Sequence, residues 1–177
     1  MALTIGTFVI LTSKSDWMPW FRQIKHQASR DNIWDYVNPE LTEGDDGTLK
    51  VNVEPKKPQP GAVYSSQTPL PAGAAFSGLS EAELGQYLML REDYKDDLRE
   101  YEARHKAIYD LHTIIYTTIN QTNYPLIMDC HSVYHQLKTL KQYLEPSRYQ
   151  LKRFARTNYE RAKNWPLKEK QDAWLRE

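Results

Sequence analysis

Cysteine is nearly missing from this chain: Cys130 stands alone. One thiol cannot close a disulfide within a chain or build a multi-cysteine zinc site. Long apolar runs are missing too. The stretch from Met1 to Leu11 is apolar, but it is too short to span a bilayer and carries no basic leader. A protein free of membranes, working in the cytoplasm, is expected. No glycine sits in a phosphate-cradling G-x-G-x-x-G or G-x-x-x-x-G-K setting. The Glu-x-x-His spacing of helical di-iron sites occurs once, at Glu102 and His105, where such a site needs it twice with two further carboxylates. His131 and His135 lie one turn apart near Asp129 and Cys130, without an H-E-x-x-H pattern or an evident fourth ligand. Cys130 and His131 are adjacent, and adjacent residues on a helix do not face each other. These absences predict a protein that is not an enzyme, with no catalytic residue, metal, cofactor or small-molecule substrate.

What is present is aromatic and charged. The 177 residues include 12 Tyr and 5 Trp, with 40% hydrophobic and 26% charged residues, enough for a packed core. Net charge is zero but unevenly spread. Residues 81–104 hold eight acids and four bases, a net −4; residues 138–177 hold eleven bases and five acids, a net +6. Two solvated helix faces explain this split. So does a head-to-tail contact between copies, with Glu92, Asp93, Asp96, Asp97 and Glu100 meeting Lys152, Arg153, Arg156 and Arg161. A basic face for nucleic acid is the third reading.

Periodicity predicts an all-α fold. Residues 3–11 (LTIGTFVIL) are β-prone and read as a short strand or an extended N-terminal arm. Ser15 as a cap, Asp16 at the positive helix end and Pro19 in the first turn open a helix predicted over 16–37 and closed by Pro39. Residues 38–78 hold six prolines and five glycines and little apolar pattern, so they read as a flexible linker or loop. A weak hairpin about Asp46-Gly47, with Leu49, Val51 and Val53 alternating, is the only exception. Ser80 and Glu83 form a capping box at the head of a long helix predicted over 81–120. A Leu-rich helix is predicted over 130–144 and a basic one from Ser147 to Lys163. A further helix begins near Leu167, and the chain is expected to be a fragment whose helical region is cut off at its C-terminal end. The organisation is thus residues 1–40 (arm and first helix), 41–79 (linker) and 80–177 (helical region).

Two groups of candidate residues stand out. Trp17, Trp20, Phe21, Ile24 and Trp34 share helical spacing and form a core or interface cluster. Lys138, Lys141, Arg148, Lys152, Arg153, Arg156, Arg161 and Lys163 are interleaved with Tyr143, Tyr149 and Tyr159, the composition of a surface for RNA or for another copy.

The stretch VILTSKSDWMPWFRQIKHQASRDNIWDYVNPE, residues 9–40, resembles the opening of Gag polyproteins of copia-type LTR retrotransposons. In that family a short apolar segment leads into a helix with W-x-x-W-F and an Ile-Trp pair near its end. The resemblance continues through the Tyr-rich long helix, the Leu-rich VYHQLKTLKQYL (residues 133–144), the basic helix and Trp174-Leu175. It implies a helical bundle like the N-terminal lobe of a retroviral-type capsid. It also implies a structural protein that self-assembles into a particle shell around element RNA. The family's zinc knuckle has no counterpart, since one cysteine cannot supply it. The expected partners are further copies of the chain and RNA. The alternative is a monomeric helical adaptor or RNA-binding module that builds no particle.

Overall fold

The computed structural model describes residues 8–43, 49–63 and 79–163. Among them the fold is all-α, with no strand. Its helices are α1 (Trp17–Arg30), α2 (Trp34–Val37), α3 (Glu81–Thr118), α4 (Val133–Leu144) and α5 (Arg148–Lys163), with short 3₁₀ turns at Pro60–Ala62 and Gln121–Leu126. The chain divides into two compact units, one from the described residues of Met1–Lys25 and Ile115–Glu177, the other from those of His26–Ile114.

The first unit is built on the arm and α1. Residues 1–7 of the expected arm lie outside the described residues. The arm's end pairs by a single parallel bridge between Leu11 and Ile119. The Leu11 amide donates to the Thr118 carbonyl at 2.7 Å, and the Asn120 amide donates to the Leu11 carbonyl at 3.1 Å. Asn123 adds a side-chain amide bond to the same Leu11 carbonyl at 3.0 Å. Among the described residues 8–11, this segment makes one bridge, to the backbone just past the end of α3. Before α1, the Asp16 carboxylate accepts from the Ser13 amide at 2.9 Å and so closes the entering turn. Trp17, Trp20 and Ile24 then recur every three or four residues and are buried. With them inside this unit lie Leu11, Ile115, Ile119, Ile127, Val133, Tyr134, Leu137, Leu140 and Leu144. The amide of His135 donates to the Ser132 hydroxyl, which caps α4.

In the second unit the helix predicted over 16–37 is two helices. The break falls at Asn32, whose φ of 56° is the only positive value at a described non-glycine residue. The Ile33 amide donates to the Ala28 carbonyl at 2.9 Å and the Asn32 amide to the Ser29 carbonyl at 3.2 Å. These two bonds are the paired C-terminal bonds of a Schellman motif, with asparagine in the left-handed position usually taken by glycine. Ala28 and Ile33, which this reversal brings together, are both fully buried. Asparagine tolerates the left-handed region better than other side chains but still less well than glycine. Asn32→Gly is therefore expected to raise stability by up to about 1 kcal/mol and Asn32→Val to lower it by about 1–2 kcal/mol. Denaturant midpoints at constant m-value check both signs.

Part of the segment read as linker is tied down. The Lys50 amide donates to the Asp35 carbonyl at 3.0 Å, and the Lys50 ammonium pairs with the Asp35 carboxylate at 2.8 Å. Asn52 donates from its side chain to the Tyr101 carbonyl at 3.4 Å and accepts from Arg104 Nε at 3.2 Å. The Arg104 guanidinium also lies 5.9 Å from the Tyr36 ring centroid. The hairpin about Asp46-Gly47 has its turn outside the described residues. Val51 and Val53 are 75% and 69% exposed, while polar Asn52 turns inward.

Helix α3 runs unbroken for 38 residues, about 57 Å at the standard rise. Its capping box forms as the sequence predicts: the Ser80 amide donates to Glu83 Oε2 at 2.8 Å, and the Glu83 amide donates back to the Ser80 hydroxyl at 3.4 Å.

Candidate assembly surface

The aromatic candidates are mostly interior. Trp17 and Trp20 lie with ring centroids 5.6 Å apart, and Trp17 stacks on Phe21 at 5.0 Å. Trp20 Nε1 donates to the Thr118 hydroxyl at 2.9 Å. Trp17, Trp20 and Ile24 are buried, and Phe21 is half-buried. Trp34 is half-buried and sits on α2, in the unit built from the described residues of His26–Ile114.

The basic candidates divide between α4 and α5. On α4, Lys138 donates to the Tyr134 hydroxyl at 2.9 Å and lies 5.0 Å from that ring's centroid. Lys141 is half-buried. Lys138 is nonetheless exposed. The remaining six are on α5 and are exposed. Arg156 pairs with Glu160 one turn on, at 2.9 Å. Arg148, Lys152, Arg153, Arg161 and Lys163 have no ion pair among the described residues.

Helix α5 is well made locally. The Ser147 amide donates to Gln150 Oε1 at 2.9 Å, and the Gln150 amide donates to the Ser147 hydroxyl at 3.3 Å. This is a reciprocal capping box, a Ser-x-x-Gln signature at the head of the basic helix predicted from Ser147 to Lys163. Yet none of its sixteen residues is buried. Leu151, Phe154 and Ala155 form an apolar stripe. Arg148, Lys152 and Arg156 follow one another at single-turn spacing along an adjoining ridge, next to Tyr149, which is 76% exposed.

The opposite charge is carried by the N-terminal half of α3. From Glu81 to Glu100 only Tyr87 is buried. Lys95, Arg99 and Arg104 pair within the helix with Glu92 (2.6 Å), Asp96 (2.9 Å) and Glu100 (3.0 Å). The hydrogen bond from Lys95 holds the Glu92 carboxyl below the usual carboxylate range. Asp93 and Asp97, one turn apart, have no ion pair among the described residues. Met89, one turn before Asp93, is 70% exposed.

No protein-family model, curated protein or solved structure matches the chain. The physical features of its surfaces are therefore the ground for reading its function. Among the described residues, no three or more of His, Cys, Asp and Glu gather where a metal ion would sit. His135 Nδ1 is 2.8 Å from the Ser132 hydroxyl that caps α4. Cys130 Sγ lies 3.7 Å from the Leu126 carbonyl and 3.6 Å from the Thr139 hydroxyl. Among the described residues, no helix is long and apolar enough to cross a membrane.

Proposed function

We propose that this chain is a structural, Gag-like protein that self-assembles into a retrotransposon particle shell enclosing element RNA. In this reading its helical fold corresponds to the N-terminal lobe of a retroviral-type capsid, it works in the cytoplasm, and it catalyses no reaction. The observation that carries the proposal is α5, a helix of sixteen residues with none buried. A helix of that length is marginal in water on its own. A neighbouring chain laid on its stripe would remove Leu151 and Phe154 from solvent and use its charge. The aromatic pattern of residues 9–40 and the Leu-rich and basic helices that follow support the same reading through their likeness to the copia-type family.

A shell needs each copy to present two different, complementary surfaces, because a head-to-tail contact can propagate where a self-complementary one stops at a dimer. The separation of base on α5 from acid on α3 meets that requirement. A monomeric RNA-binding module is the second reading. It is favoured by Tyr149 and Tyr159, which stand exposed among the bases of α5 and can stack on nucleobases.

Electron microscopy of the purified chain with and without RNA, together with light scattering over a range of concentrations, tests the proposal. Regular rings, sheets or shells and mass that grows with concentration are expected. A monomer at every concentration, with or without RNA, overturns assembly. Salt-dependent RNA retention by such a monomer would establish the second reading instead.

A further inference from the structure

Resting on the reading that copies associate, we propose that α5 of one copy docks along the N-terminal half of α3 of a second copy. Arg148 and Lys152 face Asp93 and Asp97 across that contact. Both helices present long exposed faces: no residue of α5 is buried, and across residues 81–100 of α3 only Tyr87 is. Their charges are opposite, six bases against one acid over residues 148–163 and eight acids against four bases over residues 81–104. The spacing also matches. Arg148 and Lys152 are four residues apart, as are Asp93 and Asp97, so each pair spans about 6 Å along its helix axis. All four are exposed and have no ion pair among the described residues, so docking breaks no existing salt bridge. Apolar surface flanks both pairs, with Tyr149 beside the bases and Met89 one turn before the acids. Exposed ion pairs steer and orient more than they bind, so the apolar flanks supply the buried area and the charges set the register.

A charge-swap mixture tests this arrangement. One variant carries Arg148→Glu and Lys152→Glu, the other Asp93→Lys and Asp97→Lys. Each alone should self-associate about tenfold or more weakly, because two attractive pairs become two repulsive ones. Mixed in equal amounts, the two variants should associate again, since the acidic α5 of one fits the basic α3 of the other. Only a contact between copies can be rescued this way; one within a chain cannot. Circular dichroism of each variant confirms that the exposed substitutions leave the helices formed.

Wild-type association near 0.15 M salt should weaken by 0.5 M, as the screening length shrinks to a few ångströms. If the wild type associates and neither variant weakens it, this interface is wrong while assembly stands. If both variants weaken it and the mixture stays apart, the pairing is likewise overturned. A wild type that stays monomeric at all concentrations overturns the assembly reading itself. Association that needs RNA and is not rescued by mixing assigns the bases of α5 to phosphate and also overturns the pairing.

Discussion

Replacing Trp20 by alanine should cost about 3–5 kcal/mol of folding stability. The ring is 0% exposed and lies 5.6 Å from Trp17, so truncation leaves a cavity lined by apolar groups that can close only in part. The indole N–H is lost as well, and with it the 2.9 Å bond to Thr118. Thr118 is not wholly orphaned, because its hydroxyl also donates to the Ile115 carbonyl at 3.3 Å. Cavity and transfer terms therefore dominate over the hydrogen bond. Trp20→Phe isolates the smaller part: it keeps most of the apolar volume and should lose less than half as much. Thr118→Val is the complementary change. It leaves the ring in place with its N–H buried and unpaired, at a cost of about 1–3 kcal/mol. Urea unfolding of the three variants at unchanged m-value orders them. A Trp20→Ala loss under about 1 kcal/mol would contradict the placement of this ring in the core.

Gln136→Leu is expected to have the opposite sign, a gain of about 1–3 kcal/mol. Gln136 is 1% exposed on the inner face of α4, among Val133, Leu137 and Leu140, and its Oε1 has no hydrogen-bond partner. A carbonyl stripped of water without a replacement donor carries its full desolvation cost, and leucine of similar bulk removes that cost while filling the space. Gln136→Glu should move stability the other way, since a carboxylate there would be buried with no partner. Thermal and denaturant unfolding of both variants check the pair of signs. A destabilised leucine variant would mean that the carbonyl is satisfied in solution, and a bridging water would be the first explanation to examine.

Much of the local structure was legible along the chain because its causes are local. Ser80 and Glu83 announce the head of α3, and the spacing of Trp17, Trp20 and Ile24 announces the buried face of α1. Both are set by helix geometry within a few residues. The end of α1 was less legible. Asn32 adopts a left-handed backbone that few residues other than glycine favour, and Ala28 and Ile33, both buried, surround the reversal. The segment about Asn52 misled for a related reason. A period of two defines two faces but does not say which one is covered. Here Tyr101 and Arg104 of α3 hold the polar residue inward, so Val51 and Val53 remain in water.

The candidate surface divides along the same line. Composition and short-range spacing suffice to put acid and base in separate helices, to exclude a cysteine framework and to make 147–163 a basic helix. Which charges are left over depends on the folded chain. It tied Lys138 to Tyr134 and Arg156 to Glu160, and it left Arg148, Lys152, Asp93 and Asp97 exposed without ion pairs among the described residues. Whether a charge is spent depends on the side chain that reaches it in space, and whether a helix face is covered depends on what packs over it. Neither distance is written in the spacing of one helix.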